Sequence, residues 1–131
     1  MIVVDTNVLA YLYLPGEHTA AAETLLQQQS EWAAPWLWRS ELRNVLAGCL
    51  RRRMLTLEQA IAIQDEAQAL MRGAEYEVPS DAVLRLVRQS DCSAYDCEFV
   101  ALAQQLNAPL MTMDNKVLRA FPDTAFPLPA A

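Results

Sequence analysis

Four acidic residues stand where a carboxylate can do chemistry. Asp5 ends the apolar run Ile2-Val3-Val4 and is followed by Thr6-Asn7. Asp114 ends the segment Pro109-Leu110-Met111-Thr112-Met113 in the same way. A short apolar run that stops at a carboxylate reads as a buried strand with a helix starting behind it. If the two strands run parallel in one sheet, both Asp side chains emerge at the edge where open α/β sheets bind ligands. Asp96 falls in the first turn of a helix, among Ala94, Tyr95, Cys97 and Phe99. Glu41 lies one turn before Val45 and beside Leu42 on a long helix, so it points inward with apolar residues, where an unpartnered carboxylate is costly.

Each Asp also has an ordinary local role. Asp5 and Asp114 suit helix N-caps, and Ser93-x-x-Asp96 matches a capping box. Caps do not account for Glu41. One arrangement accounts for all four: they converge and are held ionised by a divalent cation, because packed carboxylates without one repel and take up protons. Hard oxygen donors with no His or Cys among them point to Mg²⁺ or Mn²⁺, with Asp5, Asp96 and Asp114 as metal ligands and Glu41 completing the catalytic set. Such a site suits hydrolysis of phosphodiesters. Thr6, Asn7, Thr112 and Asn115 flank the Asp residues and either orient ligands and water or make turn and cap hydrogen bonds. Lys116 reads as a solvated lysine within reach of a substrate phosphate.

Composition narrows the field. The chain has 131 residues, enough for one domain, 1–131, with a sizeable core, and 53% hydrophobic content argues against disorder. No apolar run approaches a membrane span, and Asp5 interrupts the first one too early for a signal peptide, so a soluble cytoplasmic protein is expected. Cys49, Cys92 and Cys97 form no CxxC pair and suit reduced thiols in a cytosolic core. His18 is the sole histidine, too few for a His-based metal cluster. Net charge is −6, so nucleic acid would not be held by a broad basic face. The local exception is Arg51-Arg52-Arg53, which equally suits the C-terminus of a helix. Trp32, Trp36 and Trp38 are expected to fill the core, and an exposed member would mark a partner surface.

The elements that must position the acids follow in order. Helices are expected over Thr6 to Leu14, stopped by Pro15-Gly16, and over His18 to Gln29. A strand at Trp32-Ala33-Ala34 precedes a long helix from Leu37 to Arg53. That helix buries Val45, Leu46, Cys49 and Leu50 and exposes Arg43, Asn44, Arg51 and Arg52. Thr56 and Gln59 make a capping box for a helix over Leu57 to Met71, a hairpin partner for the long helix, ended by Gly73. A strand at Tyr76-Glu77-Val78 follows. Ser80 is read as the cap of a helix burying Val83, Leu84, Leu86 and Val87. Ser93 opens the next helix, to about Leu106, with Asn107 able to end it in a left-handed conformation. After the Pro109 strand come a helix behind Asp114, a strand near Ala125-Phe126, and a tail expected to fray from about 127. Alternating strands and helices imply an α/β domain with a central parallel sheet and helices on both faces.

These residues resemble a PIN-domain ribonuclease, and more narrowly a VapC-type toxin. The resemblance is carried by Val4-Asp5-Thr6-Asn7-Val8-Leu9, Ser40-Glu41-Leu42-Arg43-Asn44-Val45-Leu46, Tyr95-Asp96-Cys97-Glu98-Phe99-Val100-Ala101-Leu102-Ala103 and Leu110-Met111-Thr112-Met113-Asp114, in that order along nearly the whole chain. It implies a single PIN-like three-layer α/β/α domain with four to five short parallel strands. It also implies a Mg²⁺-dependent endoribonuclease, usually a homodimer, neutralised by a small antitoxin in the acidic cleft. By position the acidic cluster falls on Asp5, Glu41, Asp96 and Asp114. Three other readings stand beside it. One is a housekeeping nuclease of the same fold, and another is a non-catalytic scaffold, which the acidic charge favours. The third is a phosphatase forming a phospho-Asp at Asp5, which needs an Asp where Asn7 stands.

Overall fold

Val4 lies opposite Met111, and that register decides where the acids emerge. The computed structural model describes residues 1–130. Five strands form one sheet in the order β3-β2-β1-β4-β5, every neighbouring pair parallel. They are β1 (Ile2–Val4), β2 (Trp32–Pro35), β3 (Glu75–Tyr76), β4 (Leu110–Met111) and β5 (Ala125–Phe126). The helices among the described residues are α1 (Thr6–Tyr13), α2 (Thr19–Gln28), α3 (Leu37–Arg51), α4 (Leu57–Leu70), α5 (Ser80–Arg88), α6 (Ala94–Leu106) and α7 (Asn115–Ala120). The expected α/β architecture with a central parallel sheet is therefore present.

The central strand is apolar throughout because helices cover both sides of it. Ile2, Val3 and Val4 are all buried. Full burial of a Val side chain stabilises by roughly 1.5–3 kcal/mol, so this short strand contributes well beyond its length. Helix α6 lies on β1, β2 and β4, with α5 packed against it, while α1 packs with α2 and α3, and α3 with α4 and β2. From β1 the chain winds outward to β2 and β3, then returns to lay β4 on the other side of β1. That reversal opens a crevice at the carboxyl ends of β1 and β4. Asp5 follows one strand directly and Asp114 follows the other.

Several expectations need correction. The third strand is Glu75–Tyr76 rather than Tyr76–Val78. Pairing with β2 sets it: Ala34 N–H donates to the Ala74 carbonyl and Trp36 N–H to that of Tyr76. The Glu75 carboxylate is buried by the fold, accepting from the Trp38 indole at 2.8 Å and from Arg39 at 2.6 and 2.8 Å. Ser80 is the first residue of α5 and not its cap, since Pro79 takes that position without a side-chain bond. Leu84 is exposed, because α5 turns only the Val83 and Leu86 side onto α6. On α3 the buried residues are Trp38, Leu42, Leu46 and Cys49, while Val45 and Leu50 are only half-buried at the margin. The helix stops at Arg51, and Arg53 takes a positive φ of 58° in the turn that follows. Trp32 and Trp38 are core residues, but Trp36 is half exposed, with the Arg39 guanidinium 4.7 Å over its ring. The tail does not fray at once, since Leu128 is buried.

Other readings hold in detail. Thr56 and Gln59 make both bonds of the capping box, at 3.1 and 2.9 Å. Asn107 ends α6 with φ 51° and ψ 46°. Gly73 follows α4 at φ 84°, a conformation that costs glycine little. No described helix is long and apolar enough to cross a membrane.

Candidate active site

Asp5 is where the crevice begins. Its backbone takes the extended conformation of an N-cap, and one carboxylate oxygen accepts from Val8 N–H at 3.1 Å. The other accepts from the Thr112 hydroxyl, which the β1–β4 register brings alongside. Thr112 is buried, and its oxygen also accepts from Asp114 N–H at 3.0 Å. Asp114 in turn caps α7, accepting from Lys116 and Val117 N–H at 2.9 and 3.3 Å. A chain of bonds therefore links the two strand-end acids through one threonine.

Glu41 comes from α3, which packs against α1. Its carboxylate accepts from the buried Thr6 hydroxyl at 2.7 Å. Asp96 enters from the first turn of α6. Ser93 accepts from Asp96 N–H at 3.0 Å, but the reciprocal bond of a capping box is not made. Among the described residues the Asp96 carboxylate accepts no hydrogen bond at all. The capping-box explanation of this acid therefore fails.

All four acids line one cavity of about 440 Å³. No Lys, Arg or His lines it. Burial pushes the Asp5 carboxyl up to about 6; its bonds from Thr112 and Val8 pull down, and the charges of Asp114 and Glu41 push up. Burial raises Glu41 as well, its bond from Thr6 lowers it, and Asp96 raises it further. An acidic pocket without a cationic side chain fits a hard divalent ion, and its donors are oxygens throughout. As they stand, no three acids among the described residues are gathered closely enough to ligate one ion together. Asp5, Glu41 and Asp114 are engaged by hydroxyl or backbone donors instead.

Of the flanking residues, Thr6 and Thr112 are bound directly to site carboxylates and Asn7 lines the cavity. Asn115 does not line it. Lys116 reaches the Asp91 carbonyl at 3.5 Å, and Arg51, Arg52 and Arg53 are exposed at the end of α3, outside the cavity. Asn44 is exposed, as expected, but it is not on a side away from Glu41. It lines the cavity, because Leu37, Ser40, Glu41 and Asn44 share one helical stripe at spacings of three and four. Tyr95 lines it too, and that spacing rule gives no hint of it. Glu98, raised by burial and then by Glu41, and Tyr11, raised by burial and then by Asp5 and Asp114, feel the same field.

Comparison with known proteins bears on the family and the fold. The family model described as PIN domain matches residues 2–125. The chain is 31% identical over 130 residues to Ribonuclease VapC3 of Pyrobaculum aerophilum, covering 96% of this chain and 98% of that one. Among solved structures, FitAcB from Neisseria gonorrhoeae superposes with a TM-score of 0.73 at 18% identity, over 96% of each chain. A toxin–antitoxin complex from Klebsiella pneumoniae gives a TM-score of 0.72, also at 18% identity over 96% of each chain. These structural likenesses are likenesses of fold.

Proposed function

The chain belongs to the PIN-domain family, and on that premise we propose that it is an endoribonuclease that hydrolyses RNA phosphodiester bonds with Mg²⁺ or Mn²⁺. The observation that carries the reading is the meeting of Asp5, Glu41, Asp96 and Asp114 in one cavity without a cationic side chain. To hold the ion, Asp5, Asp96 and Asp114 would have to draw closer together than they stand without it, with Glu41 beside them. When bound, the ion supplies a water of lowered pKa and neutralises charge on the phosphate.

The chain's own residues do the rest. Thr112 orients Asp5 and, through the Asp114 N–H, fixes the loop that carries the second acid. Thr6 holds Glu41 facing the cavity. A carboxylate on the lining can accept a proton from an attacking water only when ionised, and in the metal-free chain burial opposes that ionisation at Asp5 and Glu41.

The curated relative is named a VapC ribonuclease, and one structural neighbour is titled a toxin–antitoxin complex. On that support we read this chain as the cytoplasmic toxin of such a pair, working as a homodimer and neutralised by a cognate antitoxin protein. The test is cleavage of RNA by the purified chain with Mg²⁺ or Mn²⁺, set against Asp5→Asn and Asp96→Asn. Cleavage that survives EDTA or survives both substitutions overturns the reading. Co-expression with the product of an adjacent small reading frame tests the antitoxin: it should suppress cleavage and co-purify.

A further inference from the structure

The cavity has an aromatic rim that its acids do not explain. Tyr95 stands beside Asp96 in the first turn of α6, lines the cavity, and is 62% exposed. Among the described residues its phenol makes no hydrogen bond. The neighbouring Phe99, by contrast, is buried in the core. On the α1 and α3 walls, Asn7 and Asn44 are exposed, line the same cavity, and have amides with no side-chain hydrogen bond among the described residues.

An RNA approaching this cavity meets a chain of net charge −6 and acids on every wall. Phosphate contacts, the usual source of affinity, are limited there to Arg43, whose guanidinium donates to the lining residue Ser40 at 3.0 Å. Stacking of a base on an aromatic ring needs no positive charge, and every base has a face to offer. The ring is available only to a base that is not stacked in a helix, because paired bases present their edges and not their faces.

Resting on the nuclease reading above, we propose that Tyr95 is a stacking platform for one unpaired base next to the scissile phosphate, with Asn7 and Asn44 placed to bond that nucleotide or its neighbour.

The experiment uses short single-stranded RNAs carrying 2-aminopurine at one position at a time, with Ca²⁺ replacing Mg²⁺ to slow cleavage. The wild type and Tyr95→Phe should quench fluorescence at one position. Tyr95→Ala should lose that quench and bind roughly 5- to 100-fold more weakly, the worth of one base–aromatic stack. With Mg²⁺ the same substitution should raise KM by a similar factor and change kcat less. The same RNA in a duplex should show no dependence on Tyr95. Tyr95→Ala that quenches and binds like the wild type overturns the proposal and leaves the nuclease reading standing. Tyr95→Ala that keeps RNA binding but dissociates a dimer assigns the ring to a protein contact and also overturns it. Quench without cleavage keeps the platform and removes the nuclease. Neither binding nor cleavage by the wild type removes both.

Discussion

The Thr112 hydroxyl donates to the Asp5 carboxylate across 107 residues of sequence. It ties the end of β4 to the end of β1 and opposes the burial that raises the Asp5 pKa. Asp5 sits between these effects, so small changes to its partners should move its titration.

Thr112→Val keeps the shape of the side chain and removes the donor. The Asp5 carboxyl should then titrate above the value of about 6 that it has with the hydroxyl present. Thr112→Ser should leave it near there. Carboxyl ¹³C shifts of the metal-free protein read this directly. A Thr112→Val titration that moves down would mean the hydroxyl does not stabilise the charged form.

The same group makes stability depend on pH. Folded Asp5 holds its proton up to about pH 6, whereas the unfolded side chain releases it near 3.8. Within that window the native state binds more protons, so stability falls as pH rises, and the full cost is present above the folded value. At neutral pH the cost is on the order of 3 kcal/mol for the metal-free chain. Asp5→Asn removes it. That variant should resist urea better than the wild type at neutral pH in EDTA, and the gain should vanish near pH 3. Equal urea midpoints at neutral pH would count against the burial of this charge.

A bound cation should reverse that penalty. Mg²⁺ or Mn²⁺ should raise the wild-type Tm in proportion to the logarithm of its concentration above Kd, and EDTA should undo the rise together with RNA cleavage. Asp5→Asn and Asp114→Asn should show little shift. A Tm that ignores both ions would sink the metal assignment while leaving the fold intact.

Asp96 and Ser93 should separate function from folding. The Asp96 carboxylate takes no part in the cap, so Asp96→Asn should abolish cleavage with a stability change within about 0.5 kcal/mol. Ser93→Ala loses the donor–acceptor pair with Asp96 N–H and should cost about 1 kcal/mol. Urea midpoints and cleavage rates on the two variants check this. A large stability loss in Asp96→Asn would make that acid structural.

Away from the cavity, Arg39 and Glu75 form a half-buried pair, the Arg39 side chain 31% exposed and that of Glu75 4%. Arg39→Ala leaves that carboxylate with the Trp38 indole and whatever water enters from the Arg39 side, and should cost about 1–3 kcal/mol. Replacing both with apolar residues, Arg39→Met with Glu75→Leu, should recover much of the loss. Chemical denaturation of the single and double variants decides whether the pair or the unpaired charge governs stability.

Particular residues show how much was legible in the chain. Ile2-Val3-Val4-Asp5 announced a buried strand and a helix cap at once, because an apolar run and an acidic stop are both local signals. Thr56 with Gln59, and Asn107, were equally readable for the same reason. Leu84 and the third strand were not. Leu84 is apolar but lies on a side of α5 that nothing covers, and β3 takes its register from β2 and from the buried Glu75. Asn44 was hidden by its neighbours Arg43 and Val45, though its spacing from Glu41 and Ser40 carried the signal.

The sequence by itself determined which groups are acidic, where strands and helices begin, and that Glu41 needed a partner. Propensity, caps and apolar periodicity act over a few residues, so they are written locally. Tertiary structure decided that the partner is Thr6, that Thr112 reaches Asp5, and that four acids separated along the chain share one cavity. Those facts depend on strand order and register, set by the packing of the whole sheet, and on a desolvation that exists only once the core has closed around Asp5.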